Sequence, residues 1–134
     1  MPDRSALTAY ARSLGIEVEQ AGDGAPILAI DFAENVEGRP GAFHGGATSG
    51  LLETAGYAAL RAELDRLGRE HRLKPINITV QFLSAGVEKR SYAQGRIARL
   101  GRRNANVEVE AWQDDRTRPI ASAVMNVMMA DPAD

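Results

Sequence analysis

Residues 45–60 limit what this chain can fold into more than any other stretch. They read Gly-Gly-Ala-Thr-Ser-Gly-Leu-Leu-Glu-Thr-Ala-Gly-Tyr-Ala-Ala-Leu, with no proline and one formal charge, Glu53. Half of them are Gly or Ala, so a neighbouring backbone could come very close. At about 100° per residue, Gly46, Ser49, Gly50, Glu53, Tyr57, Leu60 and Leu64 share one face. Leu51, Leu52, Ala55, Ala58, Ala59 and Ala62 share the other. Neither face turns hydrophilic before Arg61, Glu63, Asp65 and Arg66. A helix that is apolar all round is a buried one, so a central helix over residues 46–68 is expected. Glu53 is then the anomaly, because a carboxylate in such a helix is costly unless it is neutralised or hydrogen-bonded.

The rest of the chain reads as strands. Residues 5–14 suit a short helix stopped by Gly15, and residues 16–19 and 26–32 alternate as strands do. A turn is expected at Gly22-Asp23-Gly24 and a loop over residues 34–41. After Pro75 the period switches to two. Ile76, Ile78, Val80 and Phe82 alternate with Asn77, Thr79 and Gln81, and further strands are expected over 92–100, 106–113 and 119–130. Turns at residues 101–104 and 114–117 separate them, and a polar tail begins at Asp131.

Successive strands with short turns pair antiparallel. The fold expected is α+β: one antiparallel sheet curled around the 46–68 helix, with a short N-terminal helix, as a single domain over residues 1–134. The last strand is apolar on both faces and the helix has a second apolar face. Both leftovers point to self-association as at least a dimer.

Composition removes several chemistries. With no cysteine and only His44 and His71, thiolate nucleophiles and histidine-rich metal sites are not expected. Sixteen basic residues against eighteen acidic ones, with no basic stripe among aromatics, argue against nucleic acid. No signal-peptide core or membrane-length apolar run is present, so a cytoplasmic protein is expected.

His44-Gly45-Gly46 stands at the start of the central helix, where backbone N–H groups lack intrahelical partners and the helix dipole is positive. Bare glycines would let a substrate carbonyl touch those amides, as in an oxyanion hole. Glu53, two turns further along the Gly46 face, is placed to attack that carbonyl or to activate a water.

This constellation resembles the hotdog-fold acyl-CoA thioesterases, in the branch typified by the phenylacetate-degradation thioesterase. The resemblance runs from about Ile27 to Met129. It rests on the His-Gly-Gly opening, the acid nine residues after the His, and the strand series with Gly101-Arg102 at a hairpin. It implies that Gly45 or Gly46 polarises the thioester carbonyl and that Glu53 is nucleophile or general base. It also implies no cofactor beyond the coenzyme A of the substrate, and a homodimer that pairs into a dimer of dimers. His44 reads as a hydrogen-bonded residue tying loop to helix; with Phe43 and Tyr57 it is assigned to the substrate pocket. Phe43, Tyr57, Leu60 and Phe82 are expected to set the choice between small aryl and medium-chain acyl groups. Arg102 and Arg103 are assigned to the phosphates of coenzyme A. Two positions depart from the pattern: Gly38 stands where relatives carry Asn or Gln, and Pro75 where they carry Ser or Thr, with Asn77 the nearest polar substitute. Those departures leave open a non-catalytic acyl-CoA sensor or carrier.

Overall fold

A computed structural model describes residues 7–20 and 24–132. The start of the first expected helix, most of the turn at Gly22-Asp23-Gly24 and the last two residues of the tail lie outside them. The elements are α1 (Ala9–Ser13), β1 (Glu17–Gln20), β2 (Ile27–Ile30), a 3-10 turn (Glu34–Val36), α2 (Gly45–Arg66), β3 (Arg72–Phe82), β4 (Ser91–Leu100), β5 (Asn104–Trp112) and β6 (Ala121–Ala130).

Local chemistry sets the helix ends. The Thr8 hydroxyl accepts from the Ala11 N–H, and Gly15 at φ 81° ends the turn after α1. His44 caps α2. At the other end Gly68 sits at φ 67°, with its N–H donating to the Asp65 carbonyl and the Arg69 N–H to the Leu64 carbonyl. This is a Schellman close, which requires a left-handed residue and so favours glycine.

The six strands form one antiparallel sheet in the order β1-β2-β4-β5-β6-β3. The sheet curls around α2, the hotdog arrangement. One expectation about neighbours changes: β3 crosses to pair with β6, so the 83–90 connection spans the sheet end and β2 takes the place beside β4. Inward residues of the sheet, among them Ala93, Val107, Val109, Met125 and Val127, are buried against α2. The approach is closest at two glycines. A Cβ on Gly95 would stand 2.8 Å from the Ala59 Cβ, and one on Gly56 2.2 Å from the Met125 Sδ.

Strand β3 is an edge, eleven residues long and largely exposed. Pro75 has no N–H to give the ladder, and the register against β6 shifts between Pro75 and Asn77. Ile76 is left unpaired and 54% exposed rather than sharing the inward face of Ile78 and Val80. Among the described residues no helix is long and apolar enough to cross a membrane.

Candidate active site

The helix start is built from three loop contacts. The His44 N–H donates to the Val36 carbonyl (2.7 Å), the Gly38 N–H to Ala42 (2.9 Å) and the Phe43 N–H to Gly86 (2.9 Å). The first two close the loop before α2 on itself, and the third ties it to the crossing loop after β3. The His44 Nδ1 accepts the Gly46 N–H at 2.8 Å, so the neutral ring carries its proton on Nε2. Of the two glycine amides expected to hold a carbonyl, Gly46 is therefore engaged. Gly45, the first helical residue, has no intrahelical acceptor for its N–H.

A cavity of about 480 Å³ opens at this point, walled by Phe43, His44, Gly45, Thr48, Phe82 and Ile120 among others. The Phe82 ring stands over Gly45, with Cζ 3.3 Å from where a Cβ would be. Phe43 meets Phe32 edge-on at 5.0 Å between centroids. The position of Gly38 has a steric reason: a Cβ there would lie 2.9 Å from the His44 Cα. No side-chain amide fits without moving the helix cap.

Glu53 lies elsewhere. Ser49, Glu53, Tyr57 and Arg61 form the half-buried stripe of α2 that the sheet leaves open, while Leu60 on the expected Glu53 face is fully buried and lines neither cavity. Glu53 is thus half-buried, not enclosed in the core as its neighbours implied. It lines a separate cavity of about 220 Å³ with Tyr10, Tyr57, Arg61 and Leu73. Among the described residues its carboxylate makes no hydrogen bond or ion pair. The Tyr57 phenol titrates above its ordinary value of 10.0, through burial first and the Glu53 charge second.

The remaining assigned residues fall away from both cavities. Asn77 sits opposite Asn126 on the outer face of the sheet, away from α2, and accepts from the Asn126 Nδ2 at 2.7 Å. Asn126 in turn bonds Asn106, so the three form a ladder across neighbouring strands. Arg102 and Arg103 occupy the β4–β5 turn with Arg69 and His71 beside a further cavity. Arg69, just past the end of α2, donates to the Gly101 and Arg102 carbonyls. Within one chain this turn and the helix start stand at opposite ends of a 22-residue helix, about 33 Å long. Sequence reasoning missed Tyr10; its only signal was the glycine at position 50, against which it packs.

The model of the thioesterase superfamily matches residues 40–120, from the loop before the helix start to the residue before β6. This chain belongs to the thioesterase superfamily. The comparison with curated proteins returns no match. Solved structures share the fold of this thioesterase-superfamily chain. A conserved protein from Pseudomonas aeruginosa is 22% identical, over 96% of this chain and 99% of its own, with a TM-score of 0.80. A phenylacetic acid degradation-related protein from Ralstonia eutropha JMP134 is 20% identical over 93% and 96%, with a TM-score of 0.78. A variant of a thioesterase enzyme from Staphylococcus aureus Mu50 is 17% identical over 92% and 100%, with a TM-score of 0.80.

Proposed function

We propose that this protein hydrolyses a small aryl- or medium-chain acyl-CoA thioester, as a homodimer, with Glu53 as nucleophile or general base. The observation that carries this reading is the Glu53 carboxylate, without a hydrogen-bond or ion-pair partner among the described residues and the one charge of residues 45–60, lining a cavity beside two phenols. Either Glu53 takes a proton from a water that adds to the carbonyl carbon, or its oxygen adds and water then cleaves the acyl–enzyme anhydride. In both routes the C–S bond breaks and coenzyme A leaves as the thiol. The Gly45 N–H and the helix dipole would stabilise the developing oxyanion.

Strand β3 supports the dimer. A long, exposed edge strand is a template for pairing. Its Phe82 end borders the helix-start cavity and its Leu73 end borders the Glu53 cavity. Antiparallel pairing of two such edges sets the Leu73 end of one copy beside the Phe82 end of the other. The Glu53 cavity of one copy then adjoins the helix-start cavity of its partner. The same pairing would bring Arg102 and Arg103 of a second copy to the helix-start end, where the phosphates of coenzyme A would meet them. Pairing of two dimers through the outer sheet face, where Val124 is 48% exposed, belongs to the same proposal.

The test is release of free thiol from a panel of aryl- and fatty acyl-CoA esters by wild type and Glu53→Gln, together with the mass in solution. The expected result is a dimer or tetramer in which Glu53→Gln lowers kcat by about a hundredfold or more. Equal turnover by both proteins on the best ester removes Glu53 from the mechanism. One observation favours the second reading, an acyl-CoA sensor or carrier: the crowding at Gly38 leaves no place for an assisting amide. Tight binding by wild type without thiol release would select it.

A further inference from the structure

The short helix α1 contributes to the Glu53 cavity. It is rooted in the core by Ala11, and the Ile16 that follows it is also buried. It seats on α2 at Gly50. A Cβ at Gly50 would lie 2.9 Å from the Leu14 Cδ1 and 3.2 Å from the Tyr10 Cε2, so only a bare backbone lets α1 approach this closely. Gly50 is one turn before Glu53, and Tyr10 carries its ring from that seat into the wall of the Glu53 cavity. Tyr57, one turn after Glu53, and Leu73 of β3 form other parts of the wall. The Thr8 hydroxyl is occupied as the cap of α1, which fixes the backbone that presents Tyr10.

The size of the space matters. The cavity measures about 220 Å³. A closed apolar cavity of about 150 Å³ holds one benzene ring. One ring or a short chain fits beside Glu53, and Tyr10 is part of the wall that a larger acyl group would meet. Tyr10 is 55% exposed, so its ring is a partition between cavity and solvent rather than a core filler.

We propose that Tyr10 is a specificity-determining residue that sets the upper size of the acyl group admitted beside Glu53. The proposal rests on the thioesterase reading for its substrate but not for its geometry. Removing the ring joins the cavity to open space, so larger groups gain while small ones lose a contact surface. Tyr10→Phe keeps the ring and drops only the hydroxyl.

The experiment compares one-ring benzoyl-CoA with two-ring naphthoyl-CoA in wild type, Tyr10→Ala and Tyr10→Phe, by kcat/KM. Affinities for the matching non-hydrolysable thioethers are measured by calorimetry on the same proteins. For Tyr10→Ala the naphthoyl-to-benzoyl ratio is expected to rise about tenfold or more, the scale on which pocket walls discriminate. For Tyr10→Phe it stays within about twofold, and the thioether affinities follow the same order. An unchanged ratio in a folded Tyr10→Ala protein overturns the proposal while leaving the hydrolase reading intact. If wild type hydrolyses no ester of the aryl and fatty acyl panel, the hydrolase reading fails and the thioether ratios alone decide for or against Tyr10. If it neither hydrolyses the panel nor binds the thioethers, both are overturned.

Discussion

His44 is the place where structural and catalytic accounts of the helix start diverge, and His44→Ala separates them. The substitution removes the acceptor that the Gly46 N–H uses at 2.8 Å. Losing a side-chain N-cap costs about 1 kcal/mol, with a range of about 0.5–2. The chain has 134 residues, and at about 2.1 cal/mol/K per residue its unfolding entropy near the midpoint is about 0.28 kcal/mol/K. A 1 kcal/mol loss then lowers Tm by about 4 °C if unfolding is two-state. Asn caps well, so His44→Asn should recover most of that loss. In hydrolysis His44→Ala frees a second amide and removes no proton acceptor for the reaction, so kcat should fall by no more than a few-fold. Calorimetric melting and thiol release on the three proteins give both numbers. A drop of about a hundredfold or more, the size expected for a lost general base, that His44→Asn fails to rescue would refute the capping account. An unchanged Tm in His44→Ala would refute it from the other side.

Gly38→Gln would place a side-chain amide at the position where the resemblance expects one, but its Cβ would meet the His44 Cα at 2.9 Å. Such overpacking costs about 1–3 kcal/mol; chemical denaturation should show the loss, and thiol release should fall rather than rise. Tyr57 provides the pH prediction. Its folded-state pKa is raised above 10.0 by burial and by Glu53, so the unfolded chain gives up this proton first as pH rises. Stability from this group is present below about pH 10 and is lost through the higher folded value. Tyrosinate absorbance should place this titration lower in Glu53→Gln than in wild type, and Tyr57→Phe should flatten the alkaline fall in Tm; an unmoved titration would break the link between the two groups.

The long helix was legible because sixteen residues with a single charge leave a chain few other options, and the strands because the period changes after Pro75. What covers each face was not. A helical wheel groups Glu53 with Leu60, yet Leu60 is fully buried and Glu53 only half so. That boundary is set by how far the sheet curls, a property of strand order. Strand order escaped the sequence because β3 pairs with β6, some forty residues away, and nothing local announces the crossing. Asn77 carries a different lesson. Alternation alone set it opposite to Ile78 and Val80, off the apolar face; only the resemblance assigned it to substrate, and the asparagine ladder agrees with the alternation. Tyr10 stayed hidden because a glycine inside a helix signals close approach without naming what approaches.

These departures act together on the proposed chemistry. The imidazole of His44 engages one of the two amides at the helix start, and the crowding at Gly38 excludes a side-chain amide. The carbonyl is left with the Gly45 N–H and the positive end of α2. A single oxyanion donor is worth about 10²–10³ in rate, and a well-placed base or nucleophile must supply the rest. Glu53 is suited to that larger share, since among the described residues its carboxylate is neither paired nor hydrogen-bonded. Its cavity is closed on one side by α1 and bordered on another by the open edge of β3. A second copy paired along β3, as proposed, would stand beside that open edge.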